Sequence, residues 1–149
     1  MIKSAWWIVY YEDEKGNPKF LILKRYALSK KIEWIAPKWK IKPGESPIDT
    51  AIREVSEETG INPKYLKPEW FVGDLEIHLE SEDKWKFDKK ITYYLLKYTW
   101  DPNQIYIPPK EGYLGIYKWA SIDEVLNLVS YQKLREIFFN AYQKILWKN

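Results

Sequence analysis

Residues 45–61 form a short segment whose ends and faces can both be interpreted from the sequence, and no other segment constrains the fold as strongly. It reads Glu-Ser-Pro-Ile-Asp-Thr-Ala-Ile-Arg-Glu-Val-Ser-Glu-Glu-Thr-Gly-Ile. Ser46 supplies a helix N-cap, and Pro47 suits the first helical position. Gly60 readily adopts the left-handed conformation that closes a helix. We therefore predict a helix over residues 47–59.

The two faces of this helix differ in character. The apolar face, which can pack against a core, consists of Ile48, Ala51, Ile52, Val55 and Thr59. Glu54, Glu57 and Glu58 stand at i, i+3 and i+4, so their carboxylates crowd one face and repel each other. A divalent cation relieves that repulsion, and Mg²⁺ is commonly bound by a few carboxylates together with substrate phosphates. The alternative is an ordinary charged face in contact with solvent.

This segment resembles the signature of the Nudix hydrolases, G-x5-E-x7-R-E-U-x-E-E-x-G-U, in which U is a bulky aliphatic residue. The positions that match in register are Glu45, Arg53, Glu54, Val55, Glu57, Glu58, Gly60 and Ile61. Only the first position differs, because Trp39 stands where the family has glycine. The flanking chain is similar to the family across nearly all 149 residues. The resemblance implies one Nudix hydrolase domain over residues 1–149, of mixed α/β (α+β) class, built as an αβα sandwich with a mixed β-sheet between helices.

The resemblance also implies a metal site. In the family, the equivalents of Glu54, Glu57 and Glu58 hold two or three Mg²⁺ or Mn²⁺ ions, and the equivalent of Glu45 faces the site. The equivalent of Arg53 orients the glutamates. The reaction is hydrolysis of a diphosphate linkage in a nucleoside diphosphate joined to another group, and bound metals generate a hydroxide-like nucleophile for it. Glu54, or a carboxylate outside the signature, would accept the proton from water.

The stretch before the helix narrows the implied substrate. Residues 34–45 resemble the W-x-x-P-K-G-x-x-x-P-G-E run of dinucleoside polyphosphate hydrolases. Lys38 is the candidate phosphate ligand and Lys40 adds positive charge, although both could be ordinary solvated lysines. Tyr94 is a candidate for stacking on a base. The other stacking candidates are Phe87, Tyr93 and Tyr113, and a tyrosine-rich sheet would pack such residues in any case.

Carboxylates outside the signature supply further candidates. Glu111 is a possible additional metal ligand or general base, since the family often places a glutamate in the loop before its late strand. It could equally belong to a solvated Lys-Glu pair. Possible substitutes are Glu76, Glu80 and Glu82. The lone histidine, His78, alternates within a predicted strand, so we interpret it as structural or exposed.

Tryptophan is overrepresented relative to glycine: the chain has nine Trp and six Gly, and average usage puts glycine near 7% of residues. Trp6, Trp7 and Trp39 stand where relatives have glycine. One hypothesis is that the gene comes from an organism that reads UGA as glycine, so that UGA codons appear here as tryptophan. Alternatively, these side chains are ordinary core or ligand-stacking residues, and Trp39 could stack on a nucleobase.

Composition bounds the class of protein. A chain of 149 residues fits a single domain with a sizeable core. The formal net charge of +3 is mild and does not demand nucleic acid. The absence of cysteine excludes disulfides, thiolate metal sites and a cysteine nucleophile. With no signal-peptide pattern and no long apolar run, we expect a cytoplasmic protein.

The periodicity of apolar residues predicts a mixed order of strands and helices along the chain. The predicted strands cover residues 5–11, 20–25, 33–36, 70–80, 86–100 and 113–119, and the first two should form a hairpin. A lysine-rich turn precedes the signature helix, and a linker is expected between Pro63 and Pro68. Ser121 opens a short helix with a capping box, and residues 131–147 form the last helix. Its predicted core face is Leu134, Ile137, Phe138, Ala141 and Ile145.

Three classes of function stay open at this point. A metal-dependent pyrophosphohydrolase acting on a dinucleoside polyphosphate comes first. The same chemistry would suit a nucleoside triphosphate, an oxidised nucleotide, a nucleotide sugar or an RNA 5′ end, because other loops select the attached group. A Nudix-fold module that binds a nucleotide without hydrolysis is the second class, with Trp39 blocking catalysis. A nucleic-acid-binding domain, suggested by aromatics among lysines in residues 84–98, is the third.

Overall fold

The computed structural model of the chain describes residues 2–26, 30–40, 44, 46–80, 86–107 and 113–148. The strands are β1 (Ile2–Glu12), β2 (Pro18–Tyr26), β3 (Ile32–Ile35), β4 (Lys38–Lys40), β5 (Leu66–Glu80), β6 (Lys86–Tyr98) and β7 (Tyr113–Ala120). The helices are α1 (Pro47–Thr59), α2 (Ile122–Leu128) and α3 (Gln132–Lys148), with a 3₁₀ turn at Pro63–Tyr65.

The strands form one mixed sheet with β1 at its centre. The main path runs β3-β2-β1-β6-β5, while β4 pairs with β1 and β7 pairs with β2. The predicted hairpin is confirmed, because β1 and β2 pair antiparallel with Tyr10 opposite Phe20. In contrast, β1 and β6 run parallel, from Ile2 opposite Lys89 to Tyr10 opposite Lys97. Such a parallel pair requires a long crossover connection, and the connection here contains α1.

Helices cover both faces of this sheet. Residues 6–10 of β1 and 20–23 of β2 are buried without a break, and successive strand side chains point to opposite faces. Helix α1 contacts β1, and Phe138 of α3 packs edge to face on Phe20 of β2, with ring centroids 5.5 Å apart. The prediction of a mixed sheet between helices is therefore confirmed.

The helices match their predicted caps closely. Helix α1 spans residues 47–59, as predicted, between Ser46 as N-cap and Gly60 as C-cap. The capping box of α2 is present, with Ser121 and Glu124 bonding each other's backbone N–H. Helix α3 runs one residue later than predicted. The predicted core face of α3 is confirmed, since all five residues are at least nine-tenths buried, namely Leu134, Ile137, Phe138, Ala141 and Ile145.

Two predictions about connecting segments are wrong. The lysine-rich stretch after residue 36 is not only a turn, because residues 38–40 form β4 against β1. The expected linker from Pro63 to Pro68 is a 3₁₀ turn followed directly by β5, so Pro68 lies inside a strand. Proline is tolerated there because β5 ends the strand order and the ladder shifts register between Pro68 and Phe71.

Candidate active site

Helix α1 is fixed at both ends by hydrogen bonds. The Ser46 side chain accepts a hydrogen bond from the Asp49 N–H and donates one to the Asp49 carboxylate, at 3.2 and 2.7 Å. At the other end, Gly60 has a φ of 70° and its N–H donates to the Ser56 carbonyl at 3.0 Å. The backbone N–H of Tyr106 donates a hydrogen bond to the Thr59 carbonyl at 2.8 Å. The side chains of α1 therefore project from a helix with defined ends.

The acidic face of α1 is mostly buried. Glu54 is 7% exposed and Glu58 is 2% exposed, whereas the side chain of Glu57 is 52% exposed. The interpretation as an ordinary solvated face is therefore wrong for Glu54 and Glu58. Carboxylates are almost never fully buried unless they are paired or bind a metal.

Arg53 is the counterion that the structure places beside two of these carboxylates. Its Nη2 lies 2.8 Å from Glu54 Oε1, and its Nη1 lies 3.0 Å from Glu57 Oε1. One guanidinium thus holds two glutamates that stand three positions apart. The fork of an arginine suits such a contact because its donors point in fixed directions.

The donor set fits a hard divalent cation in chemistry. Only oxygen ligands are offered, and Mg²⁺ prefers one or two carboxylates completed by water and phosphate. Within the part of the chain that the structure describes, no three carboxylates or histidines are close enough to enclose an ion. Arg53 occupies the space between Glu54 and Glu57, and Glu45 lies outside the described residues.

Strand β4 borders the same region. It pairs antiparallel with the start of β1, with Lys38 opposite Trp6, Trp39 opposite Ala5 and Lys40 opposite Ser4. Because α1 also contacts β1, the residues before the helix return to the strand on which the helix packs. Only the backbone of β4 is described, so the side chains of Lys38, Trp39 and Lys40 lie outside the described part of the structure.

The sequence profile of the NUDIX domain matches residues 1–141 of this chain. The chain belongs to the Nudix family. The predicted resemblance is therefore confirmed, and the acidic helix α1 is the Nudix helix of this chain.

Known proteins similar to this Nudix chain differ in their names. An RNA pyrophosphohydrolase of Rickettsia typhi is 29% identical over 102 residues, which covers 64% of this chain and 63% of the relative. The bis(5′-nucleosyl)-tetraphosphatase (asymmetrical) of Sus scrofa is 26% identical over 111 residues, covering 74% of this chain and 70% of that protein. The aligned part thus spans less than two thirds of the Rickettsia protein's length.

A solved structure supports the fold assignment. The crystal structure of a C. elegans Ap4A hydrolase binary complex is 21% identical to this Nudix chain, with a TM-score of 0.75, and the match covers 100% of both chains. At this level of identity the likeness concerns the fold. It agrees with the mixed sheet and helices described above.

Several predicted Nudix site residues cannot be placed. Glu45, Glu82 and Glu111 lie outside the described residues. Glu76, Glu80 and His78 lie on β5 and Phe87 on β6, and Tyr113 begins β7, but the structure describes only their backbone. Their roles stay predictions.

The two adjacent tyrosines of β6 differ. Tyr93 is 1% exposed and its ring centroid lies 5.6 Å from that of Trp6, and burial raises the pKa of its hydroxyl. Tyr93 is therefore a core residue, and its candidacy for base stacking is wrong. Tyr94, which points to the other face, is half-buried and stays a predicted substrate contact.

One polar cluster around the buried carboxylate of Glu33 was not foreseen. Arg25 of β2 bonds Glu33 of β3 at 2.9 Å between Nε and Oε1, and a hydrogen bond to Glu33 raises the pKa of the Tyr131 hydroxyl. Opposite charges on two predicted neighbouring strands were a usable signal for the first pair. Nothing in the sequence pattern indicated that Tyr131, at the start of the last helix, would join them.

Among the described residues, no helix combines the length and apolar character needed to cross a bilayer.

Proposed function

We propose that this chain hydrolyses a diphosphate bond in a nucleoside diphosphate linked to another group, with Mg²⁺ or Mn²⁺ as cofactor. The observation that carries the proposal is the burial of Glu54 and Glu58 on one face of a capped helix, with Arg53 beside them. A helix face that needed only to be soluble would leave its carboxylates in water. The proposal includes a single Nudix domain over residues 1–149 and a cytoplasmic location.

The proposed metal ligands are carboxylates of the Nudix signature. Nudix hydrolases generally use divalent metals. The ligands would be the carboxylates of Glu45, Glu54, Glu57 and Glu58. Trp39, at the glycine position of the signature, would lie beside the metal site. When bound, the ions supply charge neutralisation at the phosphate oxygens and lower the pKa of a water molecule.

We assign proton transfer and the orientation of the carboxylates to side chains of α1. We assign Glu54 the role of proton acceptor, because a carboxylate close to the nucleophilic water can remove its proton as the attack proceeds. Arg53 orients both glutamates before the metal binds, with contacts of 2.8 Å to Glu54 and 3.0 Å to Glu57, and it continues to orient Glu57 once Glu54 has turned toward the cation. Glu111 is a second candidate for the proton acceptor.

The proposed substrate contacts lie outside the helix. Lys38 and Lys40 would bind phosphate oxygens through charge, and Tyr94 would contact the base. Support for this part comes from the backbone of β4, which runs beside the strand that α1 contacts.

A dinucleoside polyphosphate is the first substrate that we propose. The pig relative, which aligns over more of this chain than the Rickettsia relative, is named a bis(5′-nucleosyl)-tetraphosphatase, and a C. elegans Ap4A hydrolase shares the fold. RNA with a 5′ polyphosphate is the nearest rival, because the Rickettsia relative is named an RNA pyrophosphohydrolase. We rank nucleoside triphosphates and oxidised nucleotides after these two substrates.

A nucleotide-binding module without catalysis is the second candidate. It is favoured by Trp39, which occupies the glycine position of the signature. A glycine there permits close approach of backbone to a ligand, and a tryptophan adds a large side chain. In this case nucleotide binding would persist without turnover.

The test incubates a panel of candidate substrates with Mg²⁺ and separates the nucleotide and pyrophosphate products by ion-exchange chromatography. The substrates are diadenosine tetraphosphate, nucleoside triphosphates, an 8-oxo nucleotide, ADP-ribose and 5′-triphosphorylated RNA. The chain is compared with Trp39→Gly, with Glu57→Gln, and with Glu136→Gln as a matched control. Glu136 is an exposed glutamate of α3 that contacts Lys133 and lies outside the site.

We expect turnover of at least one substrate, a loss of at least about 100-fold in Glu57→Gln, and no change in Glu136→Gln. Nucleotide binding with no turnover in either the chain or Trp39→Gly would contradict the enzyme and support the binding module. A steep decrease of RNA affinity with salt, without turnover, would instead favour a nucleic-acid-binding domain.

A further inference from the structure

Thr50 of α1 is a buried hydroxyl residue that differs from the other threonine of the same helix. Thr50 is 0% exposed, and its Oγ1 has no hydrogen-bond partner among the described residues. Thr59, which is also 0% exposed, donates from Oγ1 to the Val55 carbonyl at 2.6 Å. The hydroxyl of a threonine in a helix can bond the carbonyl one turn back, and that of Thr59 does so.

The burial of the Thr50 hydroxyl without a hydrogen-bond partner among the described residues requires an explanation. A buried hydroxyl without a partner costs stability relative to an apolar group of the same shape. Such groups in native proteins are rare, and functional sites or bound water and ions account for many of them. Valine would fill the same space without that cost.

The position of Thr50 points to Glu54. Residues four apart lie on the same face of a helix, and helical side chains lean toward the N-terminus. A carboxylate at position 54 can therefore reach the turn that contains Thr50. Glu57, seven positions beyond Thr50, shares the same stripe.

In the structure, Glu54 is engaged elsewhere. Its Oε1 accepts from Arg53 Nη2 at 2.8 Å, and Arg53 also holds Glu57. Coordination of a cation by Glu54 would require its carboxylate to turn away from Arg53. A second donor close to its new position would then restrict the rotamer.

We propose that Thr50 is a positioning residue for the metal-bound state. When Glu54 turns from Arg53 toward a bound divalent cation, the Thr50 hydroxyl donates a hydrogen bond to the Glu54 carboxylate and directs the remaining lone pairs at the ion. A ligand held in this way binds its metal more tightly because less side-chain freedom is lost on binding. This inference rests on the proposed function, since it assumes that Glu54 binds metal.

The experiment measures Mn²⁺ affinity by electron paramagnetic resonance without nucleotide, and thermal stability in EDTA. Thr50→Val removes the hydroxyl and keeps the shape, whereas Thr50→Ser keeps the hydroxyl. Thr59→Val is the matched control, because it removes a satisfied hydroxyl from the same helix. Thr50→Ala provides a second variant without the hydroxyl if valine does not fold.

We expect Thr50→Val to lower Mn²⁺ affinity about 10-fold or more with Tm in EDTA unchanged or higher. Thr50→Ser should stay within about threefold of the unaltered protein. Thr59→Val should lower Tm and leave Mn²⁺ affinity unchanged. A residue that only fills space would show no such separation of metal affinity from stability.

Two results would overturn the inference, and they are distinguishable. If the unaltered protein binds Mn²⁺ and Thr50→Val matches its affinity, the role of Thr50 is wrong and the proposed function stands. If the unaltered protein binds no Mn²⁺ under any condition in which it is folded, the proposed metal site fails and the role of Thr50 fails with it.

Discussion

At the scale of single residues, the arrangement around Arg53 shows how α1 tolerates its own charges. Glu54 and Glu57 would repel each other at a spacing of three positions, and Arg53 contacts both. The side chain of Arg53 is 33% exposed and that of Glu54 is 10% exposed. The guanidinium therefore neutralises a carboxylate that water reaches poorly, and a bound cation would take over this task.

Replacement of Arg53 by glutamine should therefore destabilise the protein mainly when metal is absent. We expect a loss of about 1–2 kcal/mol in EDTA, between the values for exposed and buried pairs, or a Tm lower by about 2–8 °C. Added Mg²⁺ should raise the Tm of Arg53→Gln more than that of the unaltered protein. Lys133→Gln, which removes an exposed pair, is the control, and equal Mg²⁺ responses would contradict the explanation.

Tyr10 gives a prediction about alkaline pH. Burial and a hydrogen bond donated by its hydroxyl to Glu69 raise its pKa, whereas in the unfolded chain a tyrosine titrates near pH 10. The stabilising contribution is complete below pH 10 and falls as pH rises, because only the unfolded chain then releases the proton. The free energy of unfolding should drop by up to about 1.4 kcal/mol per pH unit from this residue. Urea unfolding from pH 9 to 11 measures the slope. Parallel profiles for the chain and Tyr10→Phe would contradict it.

At the scale of elements, α1 shows what capping contributes. Ser46 and Gly60 mark both ends of the helix in the sequence, and the structure has the same limits. At Gly60 the requirement is conformational: its φ is 70°, and an added Cβ would lie 3.5 Å from the nearest atoms, which is ordinary contact. Any penalty for a side chain there comes from the backbone and not from crowding.

Gly60→Ala should lower the free energy of unfolding by about 1–2 kcal/mol, the cost of a left-handed conformation for an L-residue with Cβ. Gly60→Asn should lose less, because asparagine adopts this conformation more easily. Urea titration with an unchanged m value measures both. If alanine and asparagine cost the same, the conformational explanation is wrong.

Elements with local signals were predictable, and those that depend on distant partners were not. The caps of α1 and α2, the first hairpin and the core face of α3 follow from short-range patterns. Strand β4 has the sequence Lys-Trp-Lys, which alternates polar and apolar residues but is too short for the alternation to indicate a strand. Its pairing with β1 is what establishes it as one. Pro68 indicated a linker, yet it lies in an edge strand where proline costs little.

The sequence nominates the residues of the candidate site, but it does not give the solvent exposure of their side chains. The spacing of Glu54, Glu57 and Glu58 predicts that they share one face of α1, and the helix itself is confirmed. The burial of Glu54 and Glu58 could not be foreseen, because it depends on what packs over the helix, and the spacing alone left a solvated face open. The hydroxyl of Thr50, which has no hydrogen-bond partner among the described residues, also has no local signal, since Thr59 is the same residue type with a satisfied hydroxyl.

At the scale of the whole molecule, β1 supplies the centre of the core. It pairs with β2, β4 and β6, and residues 6–10 are all buried. Trp7, at 0% exposure, is among the largest fully buried side chains. For Trp6 and Trp7, the hypothesis of recoded glycines therefore concerns the core of the protein and not its surface.

The recoding hypothesis is tested by comparing the free energy of unfolding of Trp7→Gly with that of the unaltered chain. If tryptophan is genuine, the substitution empties a filled core position and should cost at least about 3–5 kcal/mol. Trp147→Gly, at a side chain 94% exposed, is the control and should cost less than about 1 kcal/mol. Equal or greater stability of Trp7→Gly would support recoding, and UGG codons at positions 6, 7 and 39 of the gene would refute it.

The parallel contact between β1 and β6 has a consequence for the order of events on the ribosome. Ile2 finds its partner only when Lys89 exists, and the strand that contains Lys89 ends at Tyr98. In a nascent chain that has emerged as far as the Nudix helix, β1 can therefore pair with β2 and β4 and contact α1, but its β6 edge has no partner strand. Synthesis proceeds at about 5–20 residues per second, so this stage lasts seconds, and it is then that a chaperone would find β1 accessible.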